Sequence, residues 1–178
     1  MPKQFSDLGI NDQLQQNLIE LQISTPTDIQ EKTIPIVLNQ KEDIVVLAKT
    51  GSGKTAAFGL PLLQLITTEN TDIQGLILAP TRELGQQIYN NLVSFAADNQ
   101  QATIVSICGG TPIKPQIESL KNTTHIVVAT PGRLLDLIKR DAINIKNLQY
   151  LVLDEADEMV SALKEEVDEI IKTIPKTR

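Results

Sequence analysis

Several residue types are scarce in this sequence, and each shortage excludes a class of protein. The single cysteine, Cys108, cannot form an internal disulfide, which excludes a small disulfide-stabilised fold. Aromatic residues make up only 3% of the chain and tryptophan is absent, so we do not expect nucleic-acid recognition by rows of stacked aromatic rings. Every apolar run is too short to cross a bilayer, and we therefore expect no membrane insertion.

Positive charge is also in short supply. The 16 Lys and Arg residues are outnumbered by 22 Asp and Glu residues, which gives a net charge of −6. Such a chain is not a generic basic nucleic-acid binder, so any contact with nucleic acid must come from local donors and helix ends. The 178 residues suit one domain with a substantial core. The lone Cys108 and the lack of an apolar secretory segment at the start predict a cytoplasmic location.

Short apolar runs alternate with helical patterns along the chain. Helices are predicted over about residues 11–21, from Asp28 with Thr27 as N-cap, from near Lys54, after Thr81 and after Pro131. Pro35 should break or restart the second of these helices. Strands are predicted at residues 44–47, 76–79, 104–107, 126–129 and 151–153. Continuous apolar strands separated by helices predict an α/β fold with a mainly parallel sheet and helices on both faces.

The most distinctive stretch follows the first apolar run and reads Ala48-Lys49-Thr50-Gly51-Ser52-Gly53-Lys54-Thr55. We interpret it as a phosphate-binding loop, because its glycines let backbone N–H groups point inward and the next helix directs its positive end to the same place. Lys54 is placed to reach the β- and γ-phosphates, and the Thr55 hydroxyl to ligate Mg²⁺. The alternative is a Gly/Ser-rich turn that binds nothing.

A second motif, Asp154-Glu155-Ala156-Asp157, follows the last apolar run. A strand that ends in carboxylates supplies the second half of an NTPase site, with Asp154 for Mg²⁺ and Glu155 for the attacking water. Taken alone, the four residues are equally typical of an acidic helix start. The phosphate loop upstream favours the NTPase interpretation.

Six motifs in this order resemble those of the DEAD-box RNA helicases. Gln30 ends the stretch Pro26-Thr27-Asp28-Ile29-Gln30, which is similar to the Q motif of that family, and residues 48–55 resemble its motif I. The other four matches are motif Ia, the double glycine, motif Ib and motif II, and they fall on Pro80-Thr81-Arg82-Glu83-Leu84, Gly109-Gly110, Thr130-Pro131-Gly132-Arg133 and Asp154-Glu155-Ala156-Asp157. The resemblance implies a RecA-like P-loop domain that uses ATP and Mg²⁺ and binds RNA.

The resemblance also implies the roles of particular residues. Catalysis is expected of Lys54, Asp154 and Glu155, and metal binding of Thr55 and Asp154. The residues expected to contact the nucleotide are Phe5, Ile23, Thr25, Gln30, Lys49, Thr50, Gly51, Ser52, Gly53, Lys54, Thr55 and Ala56. Those expected to contact RNA are Pro80, Thr81, Arg82, Gly109, Gly110, Thr130, Pro131, Gly132 and Arg133.

The RNA-side motifs have a second interpretation that needs no RNA. Each lies between a strand end and a helix start, where hydroxyls and free N–H groups can meet phosphate oxygens. The same positions suit Thr caps and a proline at the first helical position. Arg82 and Arg133 either contact phosphate or each pair with a carboxylate that fixes its loop.

Some positions depart from the pattern of the family. Ile23 stands where an aromatic residue is common, so adenine would pack on an aliphatic side chain. Asp28, Lys49 and Glu158 also replace more usual residues, and none removes a catalytic role. The sequence ends at Arg178, before the Ser-Ala-Thr motif and the second RecA-like domain of the family. We therefore expect residues 1–178 to be a monomeric N-terminal domain, with a Q-motif region at 1–40 and a core at 41–178.

Three functions remain open. The first is an ATP-dependent RNA helicase that separates short duplexes or remodels RNA–protein complexes in its full-length form. The second is a non-catalytic ATP-gated RNA clamp, which can keep the same motifs. The third is another P-loop enzyme that acts on nucleic acid, and Gln30 with its surrounding motif argues against it.

Overall fold

A computed structural model describes residues 3–39, 43–96 and 102–175. Contacts divide the chain into two units, one of Met1–Leu65 with Asn91–Gln101 and one of Ile66–Asn90 with Ala102–Arg178. The expected boundary near residue 40 and the chain end at Arg178 lie outside the described residues.

The first unit is helical in the part that the structure describes. It contains a 3₁₀ helix, Phe5–Leu8, and helices α1 (Asp12–Glu20), α2 (Asp28–Asn39) and α3 (Lys54–Leu65). Helix α1 confirms its sequence prediction, and the Asn11 side chain caps it by accepting a hydrogen bond from the Leu14 N–H at 2.9 Å. Helix α3 begins at Lys54, directly after the phosphate loop, as predicted.

The second unit contains a four-stranded parallel sheet. Its strands are β1 (Gly75–Leu78), β2 (Ile104–Ile107), β3 (Ile126–Ala129) and β4 (Tyr150–Leu153), in the order β2-β3-β1-β4. The connecting helices are α4 (Arg82–Ala96), α5 (Ile113–Ser119) and α6 (Pro131–Lys139), and α7 (Ala156–Ala162) and α8 (Lys164–Thr173) follow β4. Helix α4 continues beyond Asn90 into the first unit. The parallel sheet flanked by helices confirms the predicted fold class.

Two of these strands, β1 and β3, are continuous apolar runs whose residues are all buried. Every residue of β1 and β3 is buried, and Leu76, Ile77, Val127 and Val128 are wholly inaccessible. A hydrophobic cluster joins the strands to the last three helices, with Leu134, Leu137, Met159, Val167 and Ile170 packed among residues of β1, β2 and β3. Register is uniform, and Leu78 lies beside both Ala129 and Leu153. The four carboxyl ends therefore lie at one edge.

Two sequence predictions are wrong. Residues 44–47 do not form a strand, and Val45 and Leu47 are 91% and 92% exposed. A short apolar run becomes a strand only when a partner satisfies its backbone groups, and this run pairs with none of the four strands. Helix α2 continues through Pro35 to Asn39, where a break was predicted. Burial of its Gln30, Thr33 and Ile34 stabilises the helix against the loss of one N–H donor.

Of the helices in the described residues, none is long and apolar enough to span a membrane.

Candidate functional site

The phosphate loop, residues 48–55, depends on two glycines with positive φ angles. Gly51 has φ +80° and open space around it, and Gly53 has φ +92°. A Cβ atom at residue 53 would lie 2.4 Å from Nε2 of Gln30, so only glycine fits there. The close approach of Gln30 and the backbone angle both explain this glycine.

Two side chains of the Q-motif stretch hold the carbonyl groups of the loop. The Thr27 hydroxyl donates to the Ser52 carbonyl at 2.9 Å, and Gln30 Nε2 donates to the Gly53 carbonyl at 3.1 Å. Gln30 Oε1 accepts from the Thr27 N–H at 2.9 Å, which links the two side chains. Thr27 is at the predicted cap position of α2, but its hydroxyl bonds the loop instead.

The N–H groups of the loop are arranged differently from its carbonyls. Among the described residues, no acceptor takes the N–H of Gly53, Lys54 or Thr55 at the start of α3. The Ser52 hydroxyl is also buried, and it has no hydrogen-bond partner among the described residues. Lys54 and Thr55 are half-buried beside these donors. Unpaired donors, a lysine and a helix N-terminus are the groups that a polyphosphate requires, so the loop fits the phosphates of ATP.

The other residues predicted to contact the nucleotide differ in exposure. Lys49, Thr50 and Thr25 are exposed, Ile23 is half-buried and Ala56 is buried in α3. Phe5 is only 4% exposed, so its ring is packed within the protein. Gln30 is 4% exposed, and each of its amide atoms already has a protein partner. Each atom keeps one further hydrogen-bonding position, a hydrogen on Nε2 and a lone pair on Oε1.

In the second unit, Asp154 follows β4 directly. The residue is 7% exposed, and Oδ1 accepts from the Glu155 N–H at 3.1 Å. Glu155 has a left-handed conformation (φ 53°, ψ 50°) and is the N-cap of α7, and Asp157 and Glu158 lie in the first turn of that helix. The motif is therefore both a strand end and an acidic helix start. A non-glycine residue in this conformation is uncommon and recurs at functional sites.

The predicted RNA-side residues lie at the same edge of the sheet, after β1, β2 and β3. Thr81 caps α4, since its hydroxyl accepts from the Leu84 N–H at 3.2 Å. Thr130 does not cap its own helix, and its hydroxyl accepts from the Gly109 N–H at 3.1 Å. Pro131 is the first residue of α6, Gly132 is exposed and Pro80 is half-buried. The capping interpretation holds for Thr81, whereas Thr130 connects two of the motifs.

Arg82 and Arg133 contact the loop between β2 and α5, which we call the glycine-pair loop (residues 108–111). Arg82 Nη1 lies 3.5 Å from the Gly110 carbonyl, and Arg133 Nη2 donates to the Thr111 carbonyl at 2.8 Å. In the part of the chain that the structure describes, neither arginine pairs with a carboxylate. Both fix a loop, as one of the two interpretations expected, but through carbonyl groups.

Sequence reasoning missed three residues of these networks. Thr111 and Gln116 contribute to the glycine-pair loop, and the Thr27 hydroxyl contributes to the phosphate loop. Thr27 was predicted only as a helix cap. The polar Gln116 on the short helix just after the glycine pair was the available signal for the second network.

Two side chains of the second unit, Tyr150 and Lys164, have raised pKa values. Burial raises the pKa of the Tyr150 phenol at the amino end of β4. A hydrogen bond and ion pair with Asp168 raise the pKa of Lys164 on α8. Neither group belongs to the candidate site.

Comparisons with known proteins match this arrangement. The family model for the DEAD/DEAH box helicase matches residues 27–178. The DEAD-box ATP-dependent RNA helicase CshA of Streptococcus pneumoniae is 44% identical over 175 residues, which cover 98% of this chain and 33% of CshA. The crystal structure of a DEAD box protein from Methanococcus jannaschii has a TM-score of 0.92 at 41% identity, over 98% of this chain and 48% of that one.

A third match is the structure of Dbp5 of Saccharomyces cerevisiae bound to RNA and ADP BeF3. It has a TM-score of 0.89 at 29% identity, over 98% of this chain and 44% of Dbp5. The fold and motifs define a nucleotide-binding domain of the RecA-like class. The chain belongs to the DEAD/DEAH box helicase family, and it spans about a third to a half of the length of these relatives.

Proposed function

We propose that this chain is the ATP- and RNA-binding N-terminal domain of a longer DEAD-box RNA helicase. The full-length protein couples ATP hydrolysis to local separation of RNA duplexes or remodelling of RNA–protein complexes. The relatives support this proposal, because CshA is named an ATP-dependent RNA helicase and Dbp5 was solved with RNA and ADP BeF3. A cytoplasmic location agrees with a single, buried, unpaired Cys108.

The proposal is carried by a contrast within the phosphate loop, where side chains bond the carbonyl groups and leave N–H groups available for a ligand. Thr27 and Gln30 donate to the carbonyls of Ser52 and Gly53, whereas the N–H groups of Gly53, Lys54 and Thr55 have no protein acceptor among the described residues. An anion at this position gains several backbone hydrogen bonds and the positive end of α3. Lys54 adds a charge for the β- and γ-phosphates.

The hydrolysis step needs a metal and an oriented water in addition to the loop. Thr55 and Asp154 are the residues that would hold Mg²⁺, which when bound neutralises charge on the phosphates. Asp154 is 7% exposed and offers a carboxylate, and hard oxygen donors of this type suit Mg²⁺. Glu155 is the residue we assign to orienting or deprotonating the attacking water.

Base recognition is assigned to Gln30. Its remaining amide hydrogen and lone pair match N7 and the N6 amino group of adenine, and guanine has a different pattern. Phe5 is buried close to the start of the chain, and Ile23 supplies an aliphatic surface in place of an aromatic ring. Because Gln30 also holds Gly53, adenine recognition and phosphate binding share one side chain.

RNA is assigned to the loops after β1, β2 and β3, through contacts with phosphate and sugar. The residues at this edge are Pro80, Thr81, Arg82, Gly109, Gly110, Thr130, Pro131, Gly132 and Arg133. Contacts of this kind fix the strand without reading bases. The chain acts as a monomer, and a second RecA-like domain of the full-length protein completes both sites.

The experiment is a measurement of ATP hydrolysis by the full-length protein with and without single-stranded RNA. Strong stimulation by RNA, and none by DNA of the same sequence, supports a helicase and opposes a DNA-directed P-loop enzyme. ATP-dependent RNA binding without turnover would replace the helicase by the nucleotide-gated clamp. Failure to bind ATP or RNA at all would reject the proposal.

A further inference from the structure

The glycine-pair loop is held by one side chain that is outside every recognised motif. Gln116, on α5, donates from Nε2 to the Cys108 carbonyl at 2.9 Å and to the Thr111 hydroxyl at 2.6 Å. Its Oε1 accepts from Arg133 Nη1 at 3.0 Å. A single amide therefore contacts Cys108 and Thr111, the first and last residues of the loop, and Arg133 after β3.

The remaining contacts close the same network. Arg133 Nη2 donates to the Thr111 carbonyl at 2.8 Å, and the Thr111 hydroxyl donates to the Cys108 carbonyl at 3.3 Å. At the other side of the loop, the Gly109 N–H donates to Thr130 Oγ1 at 3.1 Å. Thr130 and Arg133, which follow β3, therefore hold the glycine-pair loop at two places.

The chemistry of this network fits glutamine and few other residues. The position needs an acceptor for a guanidinium and a donor for a carbonyl on the same short side chain, which an amide supplies. Glutamate would keep the acceptor and lose the donor, and methionine would fill the space with neither. Because Gln116 and Arg133 are half-buried, their hydrogen bonds are partly shielded from water.

We propose that Gln116 is a positioning residue for RNA binding, which acts by joining Arg133 to the glycine-pair loop. The inference rests on the proposed function, since it assumes that this edge of the sheet binds RNA. Gln116 itself does not need to touch RNA. It fixes the two ends of the loop, so that Gly110 keeps the orientation that its positive φ of 79° allows.

The test uses Gln116→Met, Arg133→Met and the double variant, with Gln149→Met as the matched control. Gln149 is exposed at the amino end of β4, at the opposite edge of the sheet. Affinity is measured with a fluorescein-labelled oligouridine strand at low salt, and ADP affinity is measured in parallel. The exchange rate of the Gly109 amide hydrogen reports the order of the loop without RNA.

We expect Gln116→Met to weaken RNA binding by about two- to tenfold, to speed exchange at Gly109 and to leave ADP affinity unchanged. In the Arg133→Met background the same substitution should cost much less, because the two residues act as one unit. Gln149→Met should change none of these quantities. Gln116→Glu, which keeps only the contact with Arg133, should also speed exchange at Gly109, and it replaces the methionine variant if that variant does not fold.

Three results would overturn the inference, and the last is distinguishable from the first two. If exchange at Gly109 quickens but RNA affinity stays that of the wild type, or if Gln116→Met costs as much with Arg133 absent, Gln116 does not position this loop for RNA. If the wild-type chain does not bind the oligouridine strand at all, the proposed function fails and the inference fails with it.

Discussion

The phosphate loop and the glycine-pair loop are both held in place by side chains, but by side chains of different kinds. Both are glycine-containing turns before a helix, and in both the carbonyl groups are held by side chains from elsewhere. The phosphate loop is held by two neutral residues, Thr27 and Gln30. The glycine-pair loop is held by Gln116 together with two arginines, Arg82 and Arg133.

The difference decides where positive charge is available for a ligand. In the phosphate loop, no hydrogen bond within the described residues joins the Lys54 side chain to the backbone, and Lys54 stands beside N–H groups that have no protein acceptor there. In the glycine-pair loop Arg133 is already engaged with the Thr111 carbonyl and Gln116. A nucleotide should therefore bind by charge and backbone donors together, whereas RNA should depend more on geometry than on charge.

The largest expected effect is on the rate of ATP hydrolysis. The chain alone should turn over ATP near the background rate, because the proposed function and the family resemblance assign the transition-state arginines to a second RecA-like domain. An arginine finger contributes roughly 10³–10⁵ in rate. Adding the separately expressed second domain with ATP, Mg²⁺ and RNA should restore hydrolysis, measured as phosphate release. Robust RNA-stimulated hydrolysis by the chain alone would show that no such arginine is needed.

Substitution of Lys54 should have the next largest effect, on nucleotide binding. Lys54→Ala should abolish measurable ADP binding by calorimetry, because no other side chain of the loop is placed to neutralise the β- and γ-phosphates. Folding should survive, since a loop lysine contributes little to a core. Lys32→Ala, at an exposed position of α2, is the matched control and should bind as the wild type. Unchanged affinity in Lys54→Ala would mean that the loop is not the nucleotide site.

Thr27 and Gln30, the two neutral residues that hold the phosphate loop, should have different roles in nucleotide binding. Gln30→Ala should reduce the preference for ATP over GTP by about 1–3 kcal/mol, because a bidentate pair with adenine is lost. Thr27→Val removes only the hydrogen bond to Ser52, and it should weaken both nucleotides equally by about 1 kcal/mol. The measurement is calorimetry of each variant with each nucleotide. An unchanged ratio of ATP to GTP affinity in Gln30→Ala would remove its role in base choice.

The smallest expected effect is on RNA binding at the glycine-pair loop. Arg133→Met should weaken RNA binding and leave the dependence of affinity on salt almost unchanged, because this guanidinium is engaged with protein carbonyls. A direct phosphate contact would instead reduce the slope of log affinity against log salt by about 0.7. Fluorescence titrations at several salt concentrations measure that slope. A fall of this size would assign Arg133 to phosphate.

Much of the fold was readable from the sequence because buried parallel strands are nearly continuous apolar runs. Residues 104–107 and 126–129 form β2 and β3 with the predicted bounds, and the helix start at Lys54 was also predicted. Residues 44–47 have the same apolar character and are exposed without a strand, since composition does not say whether a partner strand is present. Pro35 failed as a break for a related reason, because tertiary packing overrode a local preference.

The candidate site was predictable in its residue types and less so in its contacts. Glycines and hydroxyl residues after β1, β2 and β3 lie at one edge of the sheet, as a parallel sheet requires, and their roles in binding stay predictions. The partners of those loops lie far away in the sequence, as with Thr27 and Ser52 or Arg133 and Thr111. Pairs of this kind depend on three-dimensional arrangement, which local spacing does not encode.

Loops whose carbonyl groups are held by side chains should present their N–H groups to phosphates, to those of the nucleotide in the first unit and to those of RNA in the second. The most direct measurement is an amide NMR titration of the chain, first with ADP and then with single-stranded RNA. We expect ADP to shift the amides of Gly51, Gly53 and Lys54, and RNA to shift those of Gly110 and Thr111. RNA-induced shifts that avoid the glycine-pair loop, or ADP-induced shifts that avoid the phosphate loop, would contradict the claim.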